Sequence, residues 1–191
     1  MGDPRRQKKK YESPRYPWNI DRLDRELKLI GVFGLRNKRE LWSHYYALSK
    51  YRTLARNLLS ESSEERSKLE KQILSKLFSL KIVSENATLD TVLDLSVEHI
   101  LERRIQTLVY KNGMAKTPLQ ARQLITHGHV SVRGRKVTSP SCILKADEEE
   151  YLKYTSTSVF AKDKSLIWGE TSTSPTSTIT EDNIKNGDEA K

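Results

Sequence analysis

The chain has 191 residues, 36% of them hydrophobic and 7% aromatic, enough for one domain, or two small ones with appendages, around a modest core. Its net charge of +9 implies a polyanionic partner, and its single cysteine, Cys142, excludes an intrachain disulfide framework and every cysteine-rich zinc pattern. No apolar run approaches the length of a membrane span and no hydrophobic stretch follows the N-terminal charges, so a soluble, intracellular protein is expected.

The charge is segregated. Residues 1–60 carry 15 basic and 6 acidic side chains, a net of +9, and residues 61–100 carry 5 and 8, a net of −3. Residues 101–154 carry 10 and 5, a net of +5, and residues 155–191 carry 4 and 6, a net of −2. Two basic blocks on either side of a mildly acidic middle fit surfaces shaped for nucleic acid.

In chain order, residues 1–20 hold Pro4, Pro14 and Pro17 among Arg5, Arg6, Lys8, Lys9, Lys10 and Arg15. Prolines discourage a helix and the like charges repel, so an extended basic arm is expected, with Tyr11, Tyr16 and Trp18 available for stacking or packing. From Asp21, the apolar face Leu23, Leu27 and Ile30 predicts a helix ending at Gly31 or Gly34. A longer helix is predicted from Lys38 to Leu59, with Leu41, Tyr45, Leu48, Ala55 and Leu59 as its stripe and Arg39, Lys50, Arg52 and Arg56 on its other sides. Ser62 to Glu65 reads as a capping box opening a third helix through Leu69, Ile73, Leu77 and Leu80.

A helical turn from Thr91 to Leu95 precedes a helix capped by Ser96, with Val97, Leu101, Ile105, Leu108 and Val109 buried and Asn112-Gly113 as its end. Thr117-Pro118 supplies the N-cap and first residue of the next helix, which stops at Gly128. A hairpin follows with Arg133-Gly134 at its turn, its valines Val130, Val132 and Val137 in a strand pattern. Cys142-Ile143-Leu144 is an apolar run in which a buried thiol is expected. Tyr151 to Tyr154 reads as a last strand. Beyond Tyr154 the Ser/Thr-rich acidic tail cannot bury enough apolar surface to offset its ordering, and its last twenty or so residues are expected to be disordered. Val159-Phe160 and Leu166-Ile167-Trp168 are its only apolar anchors.

The four histidines lack metalloprotease spacing, and His127 and His129 have no third ligand nearby, so a polar turn or an RNA contact is expected there. Asp147 to Glu150 reads as a solvated acidic face. Without a phosphate-binding loop or dinucleotide fingerprint, no enzyme, metal or other cofactor is expected. The binding constellation is stronger. Arg103 and Arg104 from one helix, Lys116 from the loop, Gln120 and Arg122 from the next helix, and Arg133, Arg135 and Lys136 from the hairpin are expected on one concave basic side. Arginine's planar fork suits phosphate oxygens, and A-form RNA is read mostly by shape, phosphates and 2′-hydroxyls.

The stretch LERRIQTLVYKNGMAKTPLQARQLITHGHVSVRGRKVTSPS resembles an S4-type RNA-binding domain. YESPRYPWNIDRLDRELKLIGVFGLRNKRELW resembles the start of the archaeal and eukaryotic branch of the small-subunit ribosomal protein S4 family, and the similarity runs from about residue 4 to 154. The resemblance implies an α+β chain: a basic arm (1–20), a helical domain (21–101), an S4 domain of two helices plus a β-hairpin (102–154) and a tail (155–191). It implies a primary rRNA-binding protein on the 5′ domain of small-subunit rRNA, nucleating assembly of the subunit body. Its neighbours would be ribosomal proteins S5 and S3 near the mRNA entrance, with an influence on translational accuracy in the cytoplasm; no DNA or membrane partner is implied.

By motif, rRNA contacts are expected from Arg36, Asn37, Lys38, Arg39, Arg52, Arg56, Arg103, Arg104, Lys116, Thr117, Gln120, Arg122, His127, His129, Arg133, Arg135 and Lys136. Charge reversal at Arg122 or Arg135 should weaken binding without unfolding the domain. The alternatives are an S4-domain pre-rRNA processing factor, whose N-terminal region should lack the arm and the GLRNKRE run, and a free-standing RNA chaperone, which the long basic first half disfavours.

Overall fold

The computed structural model describes residues 9–60 and 64–162, so Arg5, Arg6 and Lys8 of the arm, the Ser62–Glu65 capping box and Leu166-Ile167-Trp168 of the tail lie outside the described side chains. Helix α1 (Ile20–Phe33) starts where the Asn19 side chain accepts the Arg22 amide. It ends at Gly34 rather than Gly31, because Gly34 takes the left-handed conformation (φ 59°) that closes the helix. Three residues on, the Asn37 side chain accepts the Glu40 amide and opens α2 (Lys38–Ser60).

The stripe of α2 is Leu41, His44, Leu48, Ala55 and Leu58. Tyr45 and Leu59, expected inside, are exposed. The buried face is rotated by about one residue because it takes in a histidine, which apolar periodicity does not count. Against α2 pack α1, α3 (Glu64–Ser79), α4 (Leu89–Asp94) and α5 (Val97–Glu102). Their shared core runs from Phe33 and Leu41 through Leu77, Val92 and Leu101.

The helix expected from Ser96 to Asn112 is two helices, α5 and α6 (Ile105–Lys111). At the break Arg104 is extended (ψ 141°) and bridges Ile143 in antiparallel fashion. The Ile105 amide donates to the Cys142 carbonyl at 2.9 Å and the Leu144 amide to the Arg103 carbonyl at 3.1 Å. The apolar run 142–144 therefore competes successfully for backbone groups that a continuous helix would have used. Cys142 makes this contact through its backbone, and its thiol is exposed rather than buried as expected.

Helix α7 (Pro118–Thr126) starts as the sequence predicts, with the Thr117 hydroxyl accepting the Gln120 amide and Pro118 in the first turn. Strands β1 (Val130–Val132) and β2 (Arg135–Lys136) form the hairpin. Arg133 (φ 49°) and Gly134 (φ 76°) are both left-handed, the pairing that matches strand twist in a two-residue turn. After the short α8 (Ala146–Glu149), β3 (Leu152–Tyr154) pairs antiparallel with β1, giving the sheet order β2-β1-β3. Val130 lies opposite Tyr154 and Val132 opposite Leu152. A second core joins α6, α7 and this sheet through Ile105, Val109, Leu124, Ile125, Val130 and Leu152. The last described helix, α9 (Val159–Lys162), brings Phe160 against that core. The arrangement is α+β, helical first and with a small antiparallel sheet second.

Candidate nucleic-acid interface

The expected contact residues divide by what their side chains already do. Lys116, Thr117, His127, Arg133, Arg135 and Lys136 are exposed at the start of α7, at its end and on the hairpin. Gln120 is half-buried and accepts the Lys116 amide at 2.7 Å, which fixes the loop entering α7. The aliphatic stem of Lys136 lies across Gly128, where a Cβ would collide with it; Gly128 is also left-handed (φ 74°). His127 and His129 stack at 6.4 Å between ring centroids, and His129 hydrogen-bonds the Ser158 hydroxyl. Gln120, His127 and His129 line one cavity with Leu124 and Phe160. The Arg133 guanidinium lies over the Tyr151 ring.

A second exposed group comes from the junction of α1 and α2. Arg36, Asn37, Arg39 and Arg56 are exposed, while Lys38 is half-buried in an ion pair with Glu26 at 3.1 Å. Arg39 sits over Tyr11, whose ring stacks on Trp42, so this part of the arm is docked on α2. Arg52 is half-buried and donates to the Leu95 carbonyl at 2.6 Å.

Arg103 and Arg104, expected on the outer basic side, point inward. Arg103 is buried and pairs with Glu149 at 3.0 Å, and Glu149 also takes Lys81. One member of the acidic 147–150 run thus has a structural partner instead of forming only a solvated face. Arg104 is 0% exposed and holds Glu40, His44 and Gln106. Arg122 is also drawn in, its two terminal nitrogens bonding the two Glu40 oxygens at 3.1 and 2.6 Å. A buried guanidinium requires a counter-charge, and Glu40 supplies it for both arginines, while the Arg104 Nε is left without a hydrogen-bond partner among the described residues.

Burial pushes the Glu40 carboxyl upward, but hydrogen bonds and charge from Arg122 and Arg104 outweigh it and hold the group below its usual 4.5. His44 is driven down to about 4, chiefly by burial and then by the Arg104 charge, with Glu40 opposing. Arg104 can only donate, so the His44 Nε2 at 3.1 Å must accept, which requires a neutral ring protonated on Nδ1. Gln106 completes the joint by donating to the Gly34 carbonyl at 2.8 Å and the Pro118 carbonyl at 2.9 Å. Glu40, His44, Gln106 and Gly34 were not singled out by sequence reasoning as site residues. The available signals were an acid ending the basic run GLRNKRE and a histidine in register with an apolar stripe.

A paired-helix unit, a three-stranded sheet and an exposed basic hairpin define an S4-domain protein, and the S4 domain family matches residues 103–149. Similarity extends well beyond that unit. A small ribosomal subunit protein uS4 from Ignicoccus hospitalis is 52% identical over 162 residues, 85% of this chain and 98% of the relative. One from Hyperthermus butylicus is 51% identical over 162 residues, covering 85% and 92%. One from Sulfurisphaera tokodaii is 47% identical over 171 residues, covering 89% and 97%. The chain belongs to the small ribosomal subunit protein uS4 family. That is a family of structural ribosomal proteins rather than enzymes.

Proposed function

We propose that this chain is a structural constituent of the small ribosomal subunit in the cytoplasm and a primary binder of the 5′ domain of small-subunit rRNA. It helps nucleate assembly of the subunit body and, beside ribosomal proteins S5 and S3 near the mRNA entrance, contributes to translational accuracy. The observation that carries the reading is the division among the basic residues. Arg103, Arg104 and Arg122 are neutralised inside the protein, whereas Lys116, Arg135 and Lys136 stand exposed and outside ion pairs among the described residues. Unpaired surface cations on a rigid hairpin and helix start supply the phosphate contacts that position a protein on A-form RNA.

The proposed contact set is accordingly Arg36, Asn37, Arg39, Arg52, Arg56, Lys116, Thr117, Gln120, His127, His129, Arg133, Arg135 and Lys136, with Lys38 at its edge. Sucrose-gradient sedimentation of cell extract, before and after a high-salt wash, tests the reading. The chain should remain with the mature small subunit through the wash. Enrichment in a precursor particle alone would instead make it a processing factor.

A further inference from the structure

A second group of cations outside ion pairs among the described residues lies outside the S4-domain match. The arm from Glu12 to Arg15 runs beside α1 and α2 and closes one side of an open cleft of about 900 Å³. That is within the roughly 300–1,000 Å³ of sites that hold small ligands. Arg15, Arg25, Arg52 and Arg56 line it, and none of the four is in an ion pair among the described residues. Two carboxylates also line it. Glu26 is consumed by Arg22, Lys38 and the Trp42 indole N–H, which leaves Glu12 alone against four guanidinium groups.

The cleft also has aromatic walls. Trp42 is immobilised by its stack on Tyr11 and its bond to Glu26, and one turn further along α2 come Tyr45, exposed, and Tyr46, half-buried. Arg25, Arg52 and Arg56 already donate to neighbouring oxygens, but none has a counter-charge among the described residues, so a polyanion entering the cleft is favoured by their shared positive field. Arginine forks match phosphate oxygens, and tyrosine faces accept any base. Lys50 already lies over one face of Tyr46, its Nζ 4.5 Å from the ring centroid, and an acidic peptide would satisfy the arginines but leave the remaining ring faces without a matching planar group.

We propose that this cleft seats an unpaired nucleotide segment of rRNA, with Tyr45 and Tyr46 stacking a base and Arg25, Arg52 and Arg56 holding the flanking phosphates. The inference rests on the rRNA-binding reading above and adds a single-strand site to the hairpin surface. Prolines in the arm make the site preformed: Pro14 lines the cleft and the Pro17 carbonyl accepts from Arg22 at 3.0 Å, so little ordering entropy remains to be lost on binding.

Photo-crosslinking of the full chain to 5′-domain rRNA substituted with 4-thiouridine, followed by peptide mass spectrometry, tests this. Crosslinks should fall on α2 between Trp42 and Arg56 as well as on the hairpin. The variant Tyr45→Ala/Tyr46→Ala should bind about tenfold or more weakly, the size expected when a base stack is removed. Arg25→Gln/Arg56→Gln should flatten the dependence of log K on log salt by roughly two. Circular dichroism of both variants should match the parent. Crosslinks confined to the hairpin, with affinity unchanged in both variants, would overturn the cleft site while leaving the rRNA reading intact. Absence of any binding to the rRNA would overturn both.

Discussion

Arg104 lies inside the protein, where arginine is rarely found unless it is paired. Its surroundings explain the exception: Glu40 neutralises it, and His44 and Gln106 take further hydrogen-bonding directions. His44 stays neutral to make this work, and that makes stability depend on pH. Its folded value near 4 lies below its ordinary 6.5, so the unfolded chain binds the proton more readily between those values. Stability should be level above about pH 6.5 and fall by about 3 kcal/mol as the pH drops to about 4. Glu40, also depressed, contributes an acid loss of its own only below its ordinary 4.5. Denaturant unfolding across this range would show the slope, and His44→Gln should remove the part between 6.5 and 4; a slope unchanged by that substitution would assign it to another group.

At the scale of elements, most boundaries were readable because local chemistry sets them. Thr117-Pro118 fixes the start of α7, Arg133-Gly134 fixes the hairpin, and α2 runs within one residue of its expected end. The misses share one cause, which is partners distant in sequence. A single helix was expected across residues 97–111 because its apolar spacing is continuous, and only the strand-like run 142–144 divides it. Likewise the outward reading of Arg103, Arg104 and Arg122 followed from polarity, while their acids lie 46, 64 and 82 residues away.

Gly34 shows both kinds of information at once. Its role as helix stop was legible, but its contact with α7 was not: a Cβ there would lie 2.7 Å from the Pro118 Cβ and 3.0 Å from the Gln106 side-chain nitrogen. Gly113 is also left-handed (φ 69°) but has open space around it. Gly113→Ala should therefore cost about 1 to 2 kcal/mol from backbone strain alone. Gly34→Ala should cost a further 1 to 3 or so for overpacking the joint. Equal urea midpoints for the two variants would mean that α1 and α7 do not meet at this glycine.

Across the whole molecule, two cores are tied together at the α1–α2 junction, where Glu40 from the first meets Arg104 and Arg122 beside the second. The GLRNKRE run therefore has two duties. Gly34 and Glu40 hold the halves together, Leu35 packs into the first core, and Arg36 and Arg39 remain exposed. This changes what charge reversal should do. Arg122→Glu, expected from the sequence to leave the domain folded, should lower stability by roughly 3 kcal/mol, because it strips a partner from Glu40 and sets a second carboxylate against it. Arg135→Glu has no such pairing to break among the described residues.

If the exposed cations, and not the buried ones, meet rRNA, the affinity of Arg135→Glu for the 5′ domain of small-subunit rRNA over a salt series will show it. The melting temperature should be unchanged, binding at low salt weaker, and the salt slope shallower by about one for each phosphate left unneutralised. Low-salt affinity equal to that of the parent would mean that the hairpin cations do not meet the RNA.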